Sequence, residues 1–599
     1  MRGDTFITED KISGKAYDSR LARRLYQYLR PYLKFVMLGT IMLLASSACQ
    51  LIEPFLIGAG IDKYMLKGDF PGLTGLLWIY LAVALADFAF SFAQAYITNY
   101  LGQLTMYDLR MDIFKHLQRL SLRYFDRNPV GRLVTRATGD VEVLNQLFSS
   151  GLVTVIGDLS MIVGIMVIML IWQWKLALLS FSILPILLVL TFYFRRKLRD
   201  AFRMVRARIA RINAFLQEAL SGMSVVQLFN QQKRTRDEFD VFNLKHMDAH
   251  LKTVFYYALF YPLMELIGAV ALAIILWYGG LEVMNGTLTF GVLVAFIQYT
   301  GKFFRPIMDL SEKYNIFQAA AASSERIFDL LDTEQIIPES DSPVWLDRVD
   351  GRVTFRDVHF AYNENEPVLK GISFEAAAGE KIAIVGSTGA GKTTIINLLS
   401  RFYDIQSGEI LIDGTDIRSL SKKMLRQNIG LALQDVFIFS GTVKSNIALG
   451  EDDPLPERII ESAKAIGAHE FISRLPGGYD HVLTERGSTL SAGQRQLLSF
   501  ARVMYKSPRI LVLDEATSSV DTNTEHVIQQ ALEKLITGRT SLVIAHRLST
   551  IRNVDRILVM HHGRIVETGT HEELLVKRGI YYNLYQLQYK DQEAALPKG

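Results

Sequence analysis

Residues 381 to 402 read "KIAIVGSTGAGKTTIINLLSRF". Four apolar residues, Ile382 to Val385, have the length and composition of a buried strand, and Ile395, Ile396, Leu398 and Leu399 recur at helical spacing. Between them lies Gly386-Ser387-Thr388-Gly389-Ala390-Gly391-Lys392-Thr393. Glycines let backbone N–H groups converge on phosphates at the positive end of the following helix. Lys392 then reaches the β- and γ-phosphates, the Thr393 hydroxyl ligates Mg²⁺, and Thr394 extends the same turn. Average composition yields this pattern by chance in only ~2% of chains of this length. Strand, loop and helix together predict an α/β nucleotide-binding fold.

Further along, "RILVLDEATSSVD" sets a second buried strand, Ile510 to Leu513, before Asp514 and Glu515. Open α/β sheets bind ligands at the carboxyl ends of their strands. Asp514 suits the Mg²⁺ shell and Glu515 is placed to polarise an attacking water, although two adjacent acids also suit a solvated turn. A third run, "TSLVIAH", ends in His546, within reach of a γ-phosphate if its strand joins the same sheet. Gln434, in "LALQDVFIF", also follows an apolar stretch and is placed to complete the metal shell. In "LSAGQRQLLSFARVM" the residues Leu497, Leu498, Phe500, Ala501 and Met504 repeat at helical spacing. They predict a helix whose N-terminus, around Ser491, Gly493 and Gln494, stands uncapped for an anion.

The other half of the chain differs in kind. At 599 residues it is too long for one core. Half the residues are hydrophobic, 21% are charged, and the mean hydropathy of +0.18 suggests membrane spans. A formal charge of +4 with no basic tract argues against nucleic acid as a partner. The single Cys49 excludes an internal disulfide or cysteine metal cluster and reads as inert packing. The opening 24 residues are polar and mixed in charge, so no cleaved signal peptide is expected.

Apolar runs of spanning length fall at 35–60, 73–99, 151–172, 176–195, 255–279 and 283–303, the third and fourth separated by a tight turn, Gln173-Trp174-Lys175. Lys and Arg number eight in 1–34, seven in 100–150 and thirteen in 195–253, against three (Lys63, Lys67, Lys175) in the short connections. Positive charge stays inside, which predicts cytoplasmic termini and cytoplasmic long loops. The patterns "LRMDIFKHLQRL" and "ARINAFLQEALSGMSVVQLF" are helical, so the membrane helices should continue beyond the bilayer. "SRLARRLYQYLRPY" (19–32) reads as a basic amphipathic helix along the inner surface. The predicted division is 1–34, a cytoplasmic N-terminus with that helix; 35–321, a six-helix all-α membrane domain; 322–351, a linker; 352–587, the nucleotide-binding domain; and 588–599, a tail.

With these motifs in order, the chain resembles the ABC transporters of the exporter type, a half-transporter similar to multidrug and lipid exporters. The likeness implies an antiparallel β subdomain and a helical subdomain within the nucleotide domain. It makes Tyr362, in "HFAYNENEPVL", the aromatic that stacks on adenine, and residues 386 to 393 the Walker A loop. Gln434 becomes the Q-loop glutamine, "LSAGQ" the signature, Asp514 and Glu515 the Walker B aspartate and catalytic glutamate. Asp521 becomes the D-loop aspartate, His546 the switch histidine, and "TERG" (484–487) the segment that touches the long loops. Residues 128–140 and 229–239 would hold the coupling helices.

The resemblance implies a dimer in which each ATP meets the Walker A loop of one chain and the signature of the other. Here the usual LSGGQ carries Ala492, adding a methyl where phosphate approaches, and the D-loop reads "SSVD" rather than "SALD". Both resemble the catalytically complete subunit of heterodimeric exporters, so a heterodimer is the favoured expectation over a homodimer. The implied activity is ATP-driven export, or flipping, of a small amphiphilic molecule in contact with membrane lipids, in a bacterial cytoplasmic membrane. An importer on the exporter fold and a nucleotide-gated channel or regulatory subunit are the alternatives. Within the spans, Glu53, Asp87, Asp158 and Glu265 each cost roughly 3 kcal/mol at the bilayer centre. Interhelical hydrogen bonds or an interfacial position explain them; if two or more line a cavity, the expected cargo is a cationic amphiphile. Lys302 and Arg305 are placed to meet lipid phosphates.

Overall fold

The computed structural model describes residues 19–451, 453–514, 522–545 and 548–588. They form two compact units: one of residues up to Leu117 with Gly131–Thr333, the other of Gln118–Val130 with the chain from Glu334 onward.

The first unit is helical. Helix α1 (Ser19–Leu29) leads through a short 3-10 turn into α2 (Leu33–Gly60), followed by α3 (Phe70–Arg119), α4 (Leu152–Phe181), α5 (Leu184–Ser221), α6 (Gln232–Met284) and α7 (Phe290–Leu331). At 1.5 Å per residue, the 50 residues of α3 and 53 of α6 run about 75–80 Å, well over twice the ~30 Å hydrocarbon core. The expected extension beyond the bilayer is therefore present. Among the described residues, four helical stretches are long and apolar enough to cross a membrane: Ser19–Met65, Phe70–Arg119, Val130–Phe181 and Gln232–Met284. The remaining apolar runs do not stand alone as helices of that kind. Residues 176–195 are divided by a turn at Ser182 and Ile183, and the run 283–303 crosses from the end of α6 to α7, where Lys302 lowers the hydropathy. The predicted turn at 173–175 is one non-helical residue, Gln173 (φ −154°, ψ 90°), at a kink in α4.

Helices α2 and α7 meet backbone to backbone. A Cβ on Gly291 would lie 2.1 Å from the Gly58 carbonyl, so only glycine permits the crossing. Just beyond it the Asp62 carboxylate accepts from Gly291 N (2.7 Å), satisfying an N-terminal donor of α7, and from the hydroxyl of the N-cap residue Thr289 (2.5 Å). Helix α1 is fastened rather than merely laid down. Tyr28 and Tyr32 donate to Asp112 (3.1 Å) and Asp108 (2.8 Å) on α3. Arg24 pairs with Asp332 (2.6 Å) and lies 4.3 Å above the Phe328 ring at the end of α7.

The second unit is α/β. An antiparallel sheet has the order β2–β1–β4–β5, formed by Val353–Ala361 (β1), Pro367–Ala376 (β2), Ser407–Ile412 (β4) and Thr415–Asp416 (β5). The main sheet runs β12–β11–β3–β10–β9–β6, with β3 Lys381–Gly386, β6 Ile429–Ala432, β9 Ile510–Asp514, β10 Thr540–Ile544, β11 Arg556–His561 and β12 Arg564–Gly569. Two-residue strands β7 (Gly441–Thr442) and β8 (Val482–Leu483) pair separately. Strands β3, β6, β9, β10 and β11 are mutually parallel, and β12 closes one edge antiparallel. Alternate residues of β3 enter different cores, Ile382 and Ile384 one, Ala383 and Val385 the other. Burial on both faces is why these strands read as unbroken apolar runs.

The first third of the expected linker is helix and the rest is strap. Helix α7 continues to Leu331, and the following chain is tied to the nucleotide unit: Lys422 Nζ donates to Ile337 O (2.8 Å) and Arg401 to Pro338 O (2.9 Å). The Asp413 carboxylate then accepts from the amides of Asp350, Gly351 and Arg352 at 2.8–3.1 Å.

Candidate nucleotide site

Parallel register places the glycine loop after β3 and Asp514 on one edge. Ile384 on β3 is level with Ile544 on β10, which is level with Asp514 on β9. The loop after β3 and the carboxylate ending β9 are therefore one strand apart. Gln434 follows the last residue of β6 by two positions and is exposed on the same edge. His546 follows the end of β10 by two residues; it, Glu515 and Asp521 lie outside the described residues.

The loop requires its glycines. A Cβ on Gly386 would stand 2.4 Å from the Met560 carbonyl, and Gly391 (φ +101°) would put one 2.7 Å from Leu369. Ser387, Thr388 and Gly389 are exposed at its crest, while Ala390 is buried and its amide bonds back to Ser387 O (3.1 Å). Helix α8 (Lys392–Leu399) starts at once. The Lys392 ammonium is held over the loop by the carbonyls of Gly386 (2.7 Å) and Ser387 (3.1 Å). Burial pushes its pKa down from the ordinary lysine value, and the Asp514 carboxylate pulls the other way. Thr393 is exposed, whereas the buried Thr394 faces Tyr362, whose hydroxyl donates to it at 3.3 Å. A glycine loop with an ammonium held over it and a carboxylate one strand away fits a polyphosphate.

At the signature, the expectation of an uncapped helix end is overturned. Helix α9 (Ala492–Lys506) starts with a capping box: Ser491 Oγ accepts from Gln494 N (3.2 Å), and Gln494 Oε1 accepts from Ser491 N (2.9 Å). Serine followed three residues later by glutamine before an apolar run is the sequence signature of that box. The first helical residues, Ala492 and Gly493, keep N–H groups for which the helix has no acceptor. The end is thus self-capped yet retains donors. In "TERG", Arg486 adopts φ +58° and its amide bonds to Ile438 O (3.1 Å), four residues beyond Gln434.

Sequence reasoning missed a third set of residues. The part of the loop 100–150 that groups with the nucleotide unit is Gln118–Val130, overlapping only the start of the stretch 128–140 expected to hold a coupling helix. Its helix Leu122–Arg127 places Arg123 on the Tyr362 carbonyl (3.1 Å), Arg127 on Asn363 Oδ1 (3.3 Å) and Asp126 on the Tyr403 hydroxyl. Nothing in spacing signals bonds between residues 239 and 277 positions apart.

In the helical unit the acidic residues have separate fates. Glu53 pairs with Lys302 (2.7 Å), which also donates to Gln50 O (2.9 Å), so Lys302 serves a helix contact rather than lipid. Asp87 accepts from Ser46 (2.6 Å), Gln50 (3.3 Å) and Ser91 (3.4 Å). One oxygen of Asp158 is buried without a hydrogen-bond partner, and Glu265 is exposed.

A phosphate-loop ATPase unit joined to a bundle of long apolar helices defines a membrane protein driven by nucleotide. Residues 36–307 match the ABC transporter transmembrane region and 369–518 the ABC transporter ATPase model. The chain is 40% identical over 586 residues to the uncharacterized ABC transporter ATP-binding protein YknV of Bacillus subtilis, covering 98% of this chain and 97% of that one. It is 38% identical to an ATP-dependent lipid A-core flippase of Syntrophus aciditrophicus (95% and 94% covered). It is 40% identical to a fatty acid ABC transporter ATP-binding/permease protein of Mycobacterium tuberculosis (86% and 82%). The chain belongs to the ABC transporter family, as an exporter-type half-transporter. It is an integral membrane protein that binds ATP and couples its hydrolysis to transport, and half-transporters of this type work as dimers.

Proposed function

We propose that the chain exports an amphiphilic molecule, or flips it between leaflets, as one half of an alternating-access dimer with six spans per chain and both termini cytoplasmic. Relatives named for a lipid flippase, fatty acids and multidrug resistance support that cargo class. The observation that carries the reading is the register of Ile384, Ile544 and Asp514, which brings the phosphate loop and a metal-shell carboxylate to one edge. Backbone amides of Gly386–Gly391 and Lys392 hold the phosphates, Tyr362 supports the base, and Thr393, Gln434 and Asp514 hold Mg²⁺. Glu515 orients water, His546 contacts the γ-phosphate, and Ser491, Gly493, Gln494 and Asp521 serve the partner's ATP. Mg²⁺ supplies charge neutralisation at the phosphates. ATP drives closure because it binds the closed pair more tightly than the open one. Ala492 at the first turn of α9, where the family motif has glycine, supports a non-identical partner.

The test is reconstitution of the chain, alone and with its partner subunit where activity requires one, in vesicles with fluorescent phospholipid or fatty acid, comparing wild type with Glu515→Gln. The variant should bind ATP normally and hydrolyse it at least about 10²-fold more slowly, with transport lost in parallel. Transport that survives in the variant refutes the coupling. A stable, fully active homodimer refutes the heterodimer.

A further inference from the structure

Tyr362 is gripped at three points. Its hydroxyl donates to Thr394 (3.3 Å) and accepts from Asn397 Nδ2 (3.2 Å), both on the helix that follows the phosphate loop. Its backbone carbonyl accepts from Arg123 (3.1 Å). Its ring stands edge-on to Tyr403, with centroids 5.2 Å apart and planes at 89°, and Phe360 packs edge-on at 4.9 Å. Tyr403 is buried and donates its hydroxyl to Asp126. Arg123 and Asp126 lie three residues apart on the helix Leu122–Arg127, so a single short element holds the main chain of Tyr362 and, through Tyr403, the flank of its ring.

We infer that Asp126 and Tyr403 are positioning residues for the nucleotide base: the helix Leu122–Arg127 sets the plane of the Tyr362 ring on which the base stacks. The inference rests on the proposed role of Tyr362 as the base platform. An aromatic stack depends on ring orientation, since offset faces attract and displaced ones lose contact. The phosphate loop makes its own contacts through backbone amides and Lys392. Loosening the Tyr403–Asp126 bond therefore weakens the grip on the base and leaves the grip on the phosphates. The segment that carries Asp126 continues directly from the long helix α3, so the base affinity of this chain is set partly by residues outside the nucleotide-binding sequence.

The test uses the full chain in lipid nanodiscs, alone or with its partner subunit if activity requires one. The KM for ATP, kcat, and the inhibition constant of Mg-tripolyphosphate, a ligand with phosphates and no base, are measured for each variant. Tyr403→Phe and Asp126→Ala should each raise the ATP KM by about fivefold, the loss expected for one hydrogen bond. They should leave kcat and the tripolyphosphate constant within about twofold, since neither reports on the base. Asp126→Asn, which keeps an acceptor, should restore the ATP KM. An unchanged ATP KM in both variants, or an equal weakening of ATP and tripolyphosphate, overturns the inference. Tyr362→Ala separates it from the reading beneath: if that variant leaves the ATP KM unchanged, Tyr362 is not the base platform and both fall. If Tyr362→Ala raises KM while Tyr403→Phe and Asp126→Ala do not, only the positioning role fails.

Discussion

Replacing Ser491 by alanine asks whether the start of α9 is a finished helix end or one that depends on nucleotide. The hydroxyl accepts from Gln494 N at 3.2 Å, while Gln494 Oε1 accepts from Ser491 N at 2.9 Å, so two of the donors at this end are satisfied within the chain. Alanine removes the first bond outright. It also releases the constraint that holds the glutamine for the second. Caps of this kind contribute ~1 kcal/mol, and for a unit of 150–250 residues that moves the midpoint by roughly 2–4 °C.

The assay is thermal unfolding of the full chain in detergent with nucleotide and Mg²⁺ chelated away. Ser491→Ala should lower the transition of the nucleotide unit by that amount, and Ser491→Thr, which keeps an acceptor hydroxyl, should recover most of it. Had the end been open for an anion, the nucleotide-free protein would lose nothing. A midpoint for Ser491→Ala indistinguishable from wild type therefore refutes the capping argument, whatever happens to ATP turnover.

Lys392→Ala should weaken equilibrium binding of ATP by ~10–100-fold, as expected for a charged hydrogen-bonding partner of phosphate, and unchanged affinity would count against the loop. Burial lowers the pKa of that ammonium, so below the lowered value it is already charged and binding is flat with pH; above it, binding must recruit a proton and affinity falls as pH rises. A binding curve measured against pH should lose this slope in Lys392→Ala. Lys302→Met leaves Glu53 without its cation, and since both side chains keep some exposure (30% and 23%) the cost should be about 1–3 kcal/mol, below that of a fully buried pair. Adding Glu53→Gln should return more than half of the loss in thermal unfolding; simple additivity of the two would show that the pair is not coupled.

The parts of the site that were legible in sequence are those built from neighbours. Strand, glycine loop and Lys392 occupy one short stretch, and an apolar run ending in Asp514 is what a strand buried on both faces must look like. The capping box is also written there, as Ser491 and Gln494 three apart before an apolar run. Bonds across the chain were not legible. Tyr403 and Asp126 are 277 residues apart, Lys302 and Glu53 are 249 apart, and no periodicity encodes which helix faces which. The membrane spans show the same limit in another form: among the described residues four stretches stand as helices long and apolar enough to cross, while the run 176–195 is divided by the turn at Ser182 and Ile183, which its apolar pattern does not mark.

The fates of the intramembrane acids bear on what the helices select. A carboxylate recruits a cationic cargo only if its charge is uncompensated and reachable. Glu53 fails the first condition, because Lys302 neutralises it while joining α2 to α7. Asp87 accepts from two neutral donors on α2, Ser46 and Gln50, and from Ser91 on its own helix, so its hydrogen-bonding capacity already serves the packing of α2 on α3. Two of the four acids thus tie helices together, as the alternative of interhelical hydrogen bonding requires. The argument for a cationic amphiphile loses half its support. What remains is Asp158, with one oxygen buried and unpartnered, the exposed Glu265, and an apolar and aromatic surface that discriminates by size and shape at only a few kcal/mol per contact. Selection by such a surface favours a class of amphiphiles over a single molecule.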